Sequence, residues 1–256
     1  MGWLGKLMGA SPGQDARRSG MVPDGAVVFA VGDIHGRFDL LQKLMTKLSG
    51  EVRQNQYEDV HLIFLGDYID RGFDSKSVLD YLARMEWGRV KPVFLLGNHE
   101  QTMLDFLERP DVGARWIEYG GRETLISYGV QVPENRADMA AWEAASAALK
   151  KAMPKSHVDF LKGLQSFHEF GNCYFVHAGI DPARSLSEQT DEDRLWIRDK
   201  FLSSSKKFEK VIVHGHTPEE QPTWNGRRIG VDTGAYITNT LTAVRICGSE
   251  VDFITT

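Results

Sequence analysis

The chain has 256 residues, of which 42% are hydrophobic and 25% charged, and its formal net charge is −5. This is globular composition, which excludes a wholly disordered chain, and the acidic balance excludes a strongly basic nucleic-acid footprint. Two cysteines, Cys173 and Cys247, stand far apart without a CxxC, which excludes a disulfide framework and a thiolate zinc site and suits a reducing cytoplasm.

In chain order, residues 1–24 read as a flexible N-terminal arm, because their apolar stretch is too short and too interrupted by glycine for a secretory signal. Residues 25–256 read as a single domain in which no apolar run approaches the roughly 18 residues of a membrane span. Five times an apolar, largely β-branched run stops at a short polar tag: AVVFAV–GDIHG (26–36), VHLIFL–GDYIDRG (60–72), PVFLL–GNHE (92–100), NCYFV–HAG (172–179) and KVIV–HGHT (210–217). Such runs closed by glycine predict buried strands. Between the first three, Leu41, Leu44, Met45 and Leu48, then Val78, Leu79, Leu82 and Met85, recur at helical spacing, with Asp74 or Ser75 as the cap of the second helix. Alternating strand and helix predicts βαβ units and a largely parallel sheet. Residues 101–168 read as a helical insertion, opened near its end by Pro154, and 222–256 as short strands forming a second, antiparallel sheet edge. The fold class is therefore α/β: a β-sandwich of mixed sheets flanked by helices.

Ligands bind beyond the carboxyl ends of strands in such sheets, so the tags converge on one edge. They carry Asp33, His35, Asp67, Asp70, Asn98, His99, His177, His214 and His216, including five of the chain's eight histidines. A lone histidine after a strand is more often a hydrogen-bonded structural residue than a ligand. A set of this size is different, because so many buried carboxylates and imidazoles are not cheaply satisfied without a cation. Imidazole, carboxylate and amide donors without thiolate suit Mn²⁺, Fe or Zn²⁺, with Mn²⁺ favoured. The donors are too many for one ion; two ions need a bridging carboxylate.

GDIHG, GDYIDRG, GNHE, HAG and HGHT, in this order, resemble the signature of the metal-dependent phosphoprotein phosphatase (PPP) family within the calcineurin-like metallophosphoesterases. The ending GHTP…DTGAYITNTLTAV is most similar to bacterial and phage members such as the bacteriophage lambda phosphatase. The resemblance implies the calcineurin-like fold. It implies that Asp33 and His35 hold one divalent metal, that Asp67 bridges, and that Asn98, His177 and His216 complete the second. It implies a water activated by the two metals attacking phosphorus, with His99 as general acid paired to Asp70, and with Arg71, Arg198 and Asn98 binding the phosphate. His214 is left between a role orienting His216 or the turn and a structural one, and Tyr236, in a loop that resembles a substrate-side loop of the family, between packing and a place beside substrate. The expected activity is phosphomonoester hydrolysis of phosphoprotein or phosphopeptide substrates, serine/threonine favoured and tyrosine open. The alternative is a nucleotide hydrolase of the same superfamily, such as a symmetrical diadenosine tetraphosphatase. Glu100 tilts the reading toward the protein phosphatase, since nucleotide-cleaving relatives more often show GNHD. No membrane or nucleic-acid partner is expected.

Overall fold

The computed structural model describes residues 20–256. In chain order it runs β1 (Ala26–Val31), α1 (Phe38–Gln54), β2 (Asp59–Phe64), α2 (Ser75–Arg84) and β3 (Val90–Phe94), and then a helical stretch of α3 (Asn98–Glu108), α4 (Gly113–Trp116), α5 (Gly121–Ser127), α6 (Met139–Ala152) and α7 (Lys155–Lys162). It continues with β4 (Phe167–Phe170), β5 (Cys173–Val176), α8 (Asp191–Trp196), α9 (Asp199–Leu202), β6 (Val211–His214), β7 (Thr223–Trp224), β8 (Arg228–Gly230), α10 (Ala235–Thr238), β9 (Thr242–Cys247) and β10 (Glu250–Thr255). The strands form two five-stranded sheets, ordered β10-β9-β1-β2-β3 and β4-β5-β6-β8-β7. β1, β2 and β3 run parallel, as do β5, β6 and β8, while β9, β10, β4 and β7 pair antiparallel at the margins.

The two-residue period of a strand decides what each sheet faces. On β1, Val27, Phe29 and Val31 join the helical layer, where they pack with Leu41, Leu44 and Val78. Val28 and Ala30 point the other way and join Phe175, Val213 and Ile229 between the sheets. Burying each such side chain contributes about 1.5–3 kcal/mol, so a one-residue slip of β1 would forfeit both cores. The apolar stripe of α1 is buried at Leu41, Leu44, Met45 and Leu48 and that of α2 at Val78, Leu79 and Leu82, as their spacing predicts, whereas Met85 lies at the C-cap just past α2 and is half-buried.

Several expectations are corrected. The C-terminal strands do not make a sheet edge of their own: β8 extends the second sheet parallel to β6, whereas β9 and β10 extend the first, antiparallel to β1. The helical segment starts at Asn98 and ends at Lys162, and Phe167–Phe170 forms edge strand β4 on β5. Asp74 occupies the N-cap position of α2 without capping through its side chain, and the Ser75 hydroxyl instead accepts from the Asp70 N–H at 3.0 Å. Most of the arm expected over 1–24 lies outside the described residues, but Met21 and Val22 are buried, with the Val22 N–H bonded to the Gly248 carbonyl at 3.1 Å. The ordered domain therefore begins before residue 25.

Candidate active site

The tags do meet at one end of the sandwich, delivered by turns the chain makes only with unusual backbone. Six described non-glycine residues have positive φ, and five of them are His35, Asp67, Asp70, Arg71 and His216. Such conformations cost about 1–3 kcal/mol each and persist where surrounding contacts over-determine them. For Asp67, Glu100, fully buried on the first turn of α3, supplies those contacts: its carboxyl accepts from the N–H groups of Asp67 (2.9 Å), Tyr68 (2.8 Å), Ile69 (3.2 Å) and Gly97 (3.1 Å). Gly66, at φ 105°, must lack a Cβ, which would lie 2.7 Å from the Gly97 nitrogen and 2.9 Å from His177 Nδ1.

Asp67 is the centre of the arrangement. Its Oδ2 lies 3.6 Å from His35 Nε2 and 3.8 Å from His99 Nε2, and its Oδ1 lies 3.5 Å from His177 Nε2. Two trios of donor atoms share this carboxylate, His35–Asp67–His99 and Asp67–His177–His216, the atoms of each trio within 4.8 Å of one another. Asn98 Oδ1 is 2.9 Å from His177 Nε2. Asp33 lies alongside, accepting the His216 N–H at 3.2 and 3.0 Å, but outside both trios. Burial and then the Asp232 and Asp67 charges push its carboxyl well above the usual range.

These residues fit divalent cations on an observation independent of family. His177 places its proton on Nδ1, toward the Leu65 carbonyl, so its Nε2 lone pair meets Asn98 Oδ1 at 2.9 Å, His216 Nδ1 at 3.2 Å and Asp67 Oδ1 at 3.5 Å, a convergence of buried acceptors that is costly unless a cation lies among them. Burial and then neighbouring histidines hold His216 below the ordinary imidazole range, and burial with the nearby His99 holds His35 at about 3. Both are thus neutral and able to donate. Backbone carbonyls fix two of the rings: His35 Nδ1 donates to the Ile69 carbonyl at 2.9 Å, and His177 Nδ1 to the Leu65 carbonyl at 2.9 Å. Such carbonyl partners set which nitrogen faces the centre.

His99 sits beside this centre with Nδ1 2.6 Å from Asp70 Oδ2. Burial opposes its protonation, but the charge of Asp67 and the bond to Asp70 outweigh it and raise the imidazole to about 9. Asp70 is itself fixed by the Trp116 indole N–H at 2.8 Å and the Thr124 hydroxyl at 2.6 Å, which tie the helical insertion to the site. Arg71 donates to the Tyr236 hydroxyl, lies 4.4 Å over that ring, and has a buried Nε without a partner. Tyr236 therefore does more than pack. Arg198 is exposed and lines the same cleft as Arg71, donating to the His216 carbonyl and the Thr217 hydroxyl at 3.3 Å each.

His214 lies outside both trios, with Nδ1 3.1 Å from the Gly215 carbonyl of the turn that carries His216. Its Nε2 accepts from Arg228 at 3.2 Å and its ring packs on Phe201, directed away from the trios. Sequence reasoning missed Asp232, buried near Asp33, with burial raising its carboxyl to about 6. It also missed Trp116. The DTG turn marked the first, while nothing local marked the second.

The comparisons with known proteins agree on the frame and correct the expected substrate. Residues 26–245 match the family model described as calcineurin-like phosphoesterase. The asymmetrical bis(5'-nucleosyl)-tetraphosphatase PrpE of Anoxybacillus flavithermus is 25% identical over 240 residues, covering 84% of this chain and 88% of its own. The symmetrical bis(5'-nucleosyl)-tetraphosphatase of Legionella pneumophila strain Philadelphia 1 is 28% identical over 224 residues, covering 87% of this chain and 68% of its own. Among solved structures, a protein provisionally assigned as a diadenosine tetraphosphatase has TM-score 0.59 at 20% identity, covering 93% of this chain and 95% of its own. A cold-active protein-tyrosine phosphatase of a psychrophilic Shewanella species has TM-score 0.54 at 16% identity, covering 91% and 82%. These two similarities concern the fold. The expectation of a serine/threonine phosphoprotein phosphatase is overturned by the tetraphosphatase names of the sequence relatives, and Glu100, which tilted toward it, faces backbone rather than substrate. With 220 contiguous residues matched and the tags gathered at one sheet edge, the chain belongs to the calcineurin-like phosphoesterase family, a family of metal-dependent hydrolases.

Proposed function

We propose that this enzyme hydrolyses dinucleoside polyphosphates of the diadenosine tetraphosphate class. The observation that carries the reading is that the relatives described above, the PrpE enzyme and the symmetrical enzyme alike, are bis(5'-nucleosyl)-tetraphosphatases and are similar over most of this chain. Two divalent cations, Mn²⁺ favoured and Fe or Zn²⁺ also suited, would be held by His35, Asp67, Asn98, His177 and His216 with Asp33 adjoining, and would neutralise phosphoryl charge while making water a stronger nucleophile at neutral pH. Asp67, serving both trios, is the bridge in this reading. Arg71 and Arg198, which line one cleft beside the centre, grip the reacting phosphate; Tyr236 holds the Arg71 guanidinium so that its fork is pre-oriented. Asp70 accepts the Nδ1 proton of His99 and leaves Nε2 directed toward Asp67 and the site, where it delivers a proton to the departing oxygen. A cytoplasmic location belongs to the same reading and is supported by two free thiols, Cys173 and Cys247.

The test is a side-by-side assay on diadenosine tetraphosphate and on phosphoserine and phosphotyrosine peptides after metal reconstitution. The dinucleotide is expected to exceed the peptides in kcat/KM by about tenfold or more, the scale at which a site built for one substrate discriminates. Faster cleavage of either peptide would overturn the reading. Product chromatography separates ADP alone from ATP plus AMP, and hence symmetrical from asymmetrical cleavage.

A further inference from the structure

Beside the metal centre lies a cleft of about 690 Å³ between the helical insertion and α8, with Arg71, Asn98 and His99 at its inner end. This volume is in the range of small-molecule sites, roughly 300–1,000 Å³, and exceeds what one phosphate requires. Two large aromatic side chains line it and remain open to solvent, Tyr119 at 51% and Trp196 at 48% exposure. Trp196 ends α8, whose preceding residues Arg194 and Leu195 are buried, so its backbone is anchored while its ring stays free. The ring centroid is 6.4 Å from that of His216, which places one face of the cleft next to the proposed metal donors.

The cationic groups in the cleft are not equivalent. Arg109 is engaged with Asp105 at 3.3 Å, and Arg198 is turned to the His216 carbonyl. Arg115 lines the same cleft, is exposed, and makes no ion pair or side-chain hydrogen bond among the described residues. The acidic groups are Asp105, neutralised by Arg109, Asp191, paired with Arg194 at 3.2 Å, and Glu192. A polyphosphate chain carries bound divalent cations of its own, so one free carboxylate is compatible with it.

Resting on the nucleotide reading, we propose that this cleft holds the part of the dinucleotide beyond the attacked phosphate: Arg115 takes the distal phosphates, and Trp196, with Tyr119 across from it on the insertion, offers a base its stacking face. A base stacked on an aromatic ring gains about 1–3 kcal/mol, which is sequence-tolerant because every base has a π-face. A guanidinium without an internal partner is available to a phosphate without first breaking an ion pair. Neither feature is needed to hydrolyse a small aryl phosphate, which reaches only the inner end.

The experiment measures kcat/KM for diadenosine tetraphosphate and for p-nitrophenyl phosphate on the metal-loaded wild type and on Trp196→Ala, Tyr119→Ala, Arg115→Ala and Arg115→Lys. The ratio of the two constants should fall about 5- to 100-fold in Trp196→Ala, chiefly through KM for the dinucleotide. It should fall about tenfold in Arg115→Ala, with partial recovery in Arg115→Lys, since a lysine keeps the charge and loses the fork. Inhibition of p-nitrophenyl phosphate hydrolysis by inorganic tripolyphosphate, which has no base, should weaken in Arg115→Ala. A wild type that cleaves the dinucleotide, with the ratio unchanged in both Trp196→Ala and Arg115→Ala, would overturn the cleft assignment and leave the nucleotide reading standing. A wild type that cleaves p-nitrophenyl phosphate but not the dinucleotide would overturn both.

Discussion

Glu100 presents nothing to substrate, yet four backbone N–H groups point at its carboxylate and hold the turn that aims Asp67. Burial and then the Asp67 charge push its carboxyl up to about 8, so the turn is stapled by a group held at some cost. Glu100→Asp shortens the side chain by one methylene and cannot reach all four donors. A buried N–H left without its acceptor costs about 1–3 kcal/mol, so losing one or two of the four should cost the variant about 2–4 kcal/mol of stability and much of its metal affinity, read by thermal unfolding and metal analysis. Its preference between dinucleotide and aryl phosphate should not move; a switch in preference would return Glu100 to the role of specificity residue. His99 poses a different question, since its Nε2 lies both in a donor trio and beside the reacting position. The departing oxygen of a dinucleoside polyphosphate belongs to a phosphate of pKa on the order of 6, which leaves with little help, unlike a serine alkoxide. His99→Asn should therefore lower kcat on diadenosine tetraphosphate by about 10²-fold, the low end of general-acid effects, with both metals retained. Loss of one metal from that variant would make His99 a ligand instead.

At the scale of elements, the helical insertion is fastened to the sandwich by buried polar contacts as well as by packing. His157 on α7, fully buried, has Nδ1 2.6 Å from the Tyr128 hydroxyl and Nε2 3.1 Å from Asp80 on α2. The carboxylate must accept the Nε2 proton, so Nδ1 is the acceptor for the tyrosine O–H. Burial lowers His157 from its ordinary 6.5. The sign follows: the folded state keeps this ring neutral, the unfolded chain takes up a proton below about 6.5, and the stability present above that pH is lost on acidification. His157→Gln should lower Tm at pH 7 and flatten the fall in stability between about pH 7 and 5, compared with wild type by thermal unfolding at each pH. An unchanged slope would assign the acid sensitivity to other buried histidines. The helices and tagged strands were legible because long apolar periods and glycine-closed runs are local signals. Strand β4 was not: FHEF alternates exposed and half-buried residues over four positions at a sheet margin and reads as loop. The partition of β8 and β9 into different sheets was equally hidden, since two strands a dozen residues apart carry no mark of which sheet each will join. Asp70 and His99 could be paired from their tags, whereas Trp116, which also donates to Asp70, reaches it through a tertiary approach that no spacing encodes.

For the molecule as a whole, the donors come from both sheets. Asp33, His35, Asp67 and Asn98 follow β1, β2 and β3 of the first, and His177 and His216 follow β5 and β6 of the second. Asp67 and His177 thus face each other across the sandwich at 3.5 Å, at the edge where the sheets are joined by polar groups and the apolar layer between them ends. Cations bound there would link the sheets and stabilise the folded chain by mass action, about 2.7 kcal/mol at a hundredfold excess over Kd. For a chain of this size 1 kcal/mol shifts Tm by about 2–4 °C, so stripping metal should lower Tm by about 5–10 °C while abolishing hydrolysis. Adding Mn²⁺ should restore both together. Asp67→Asn removes the charge shared by the two trios, so its Tm should respond little to either treatment; its unmetallated fold should persist, because Glu100 still holds the backbone N–H of residue 67 and its turn. Retained activity after exhaustive chelation would refute the metal centre, and a metal-dependent Tm in Asp67→Asn equal to that of wild type would refute the shared carboxylate as its bridge.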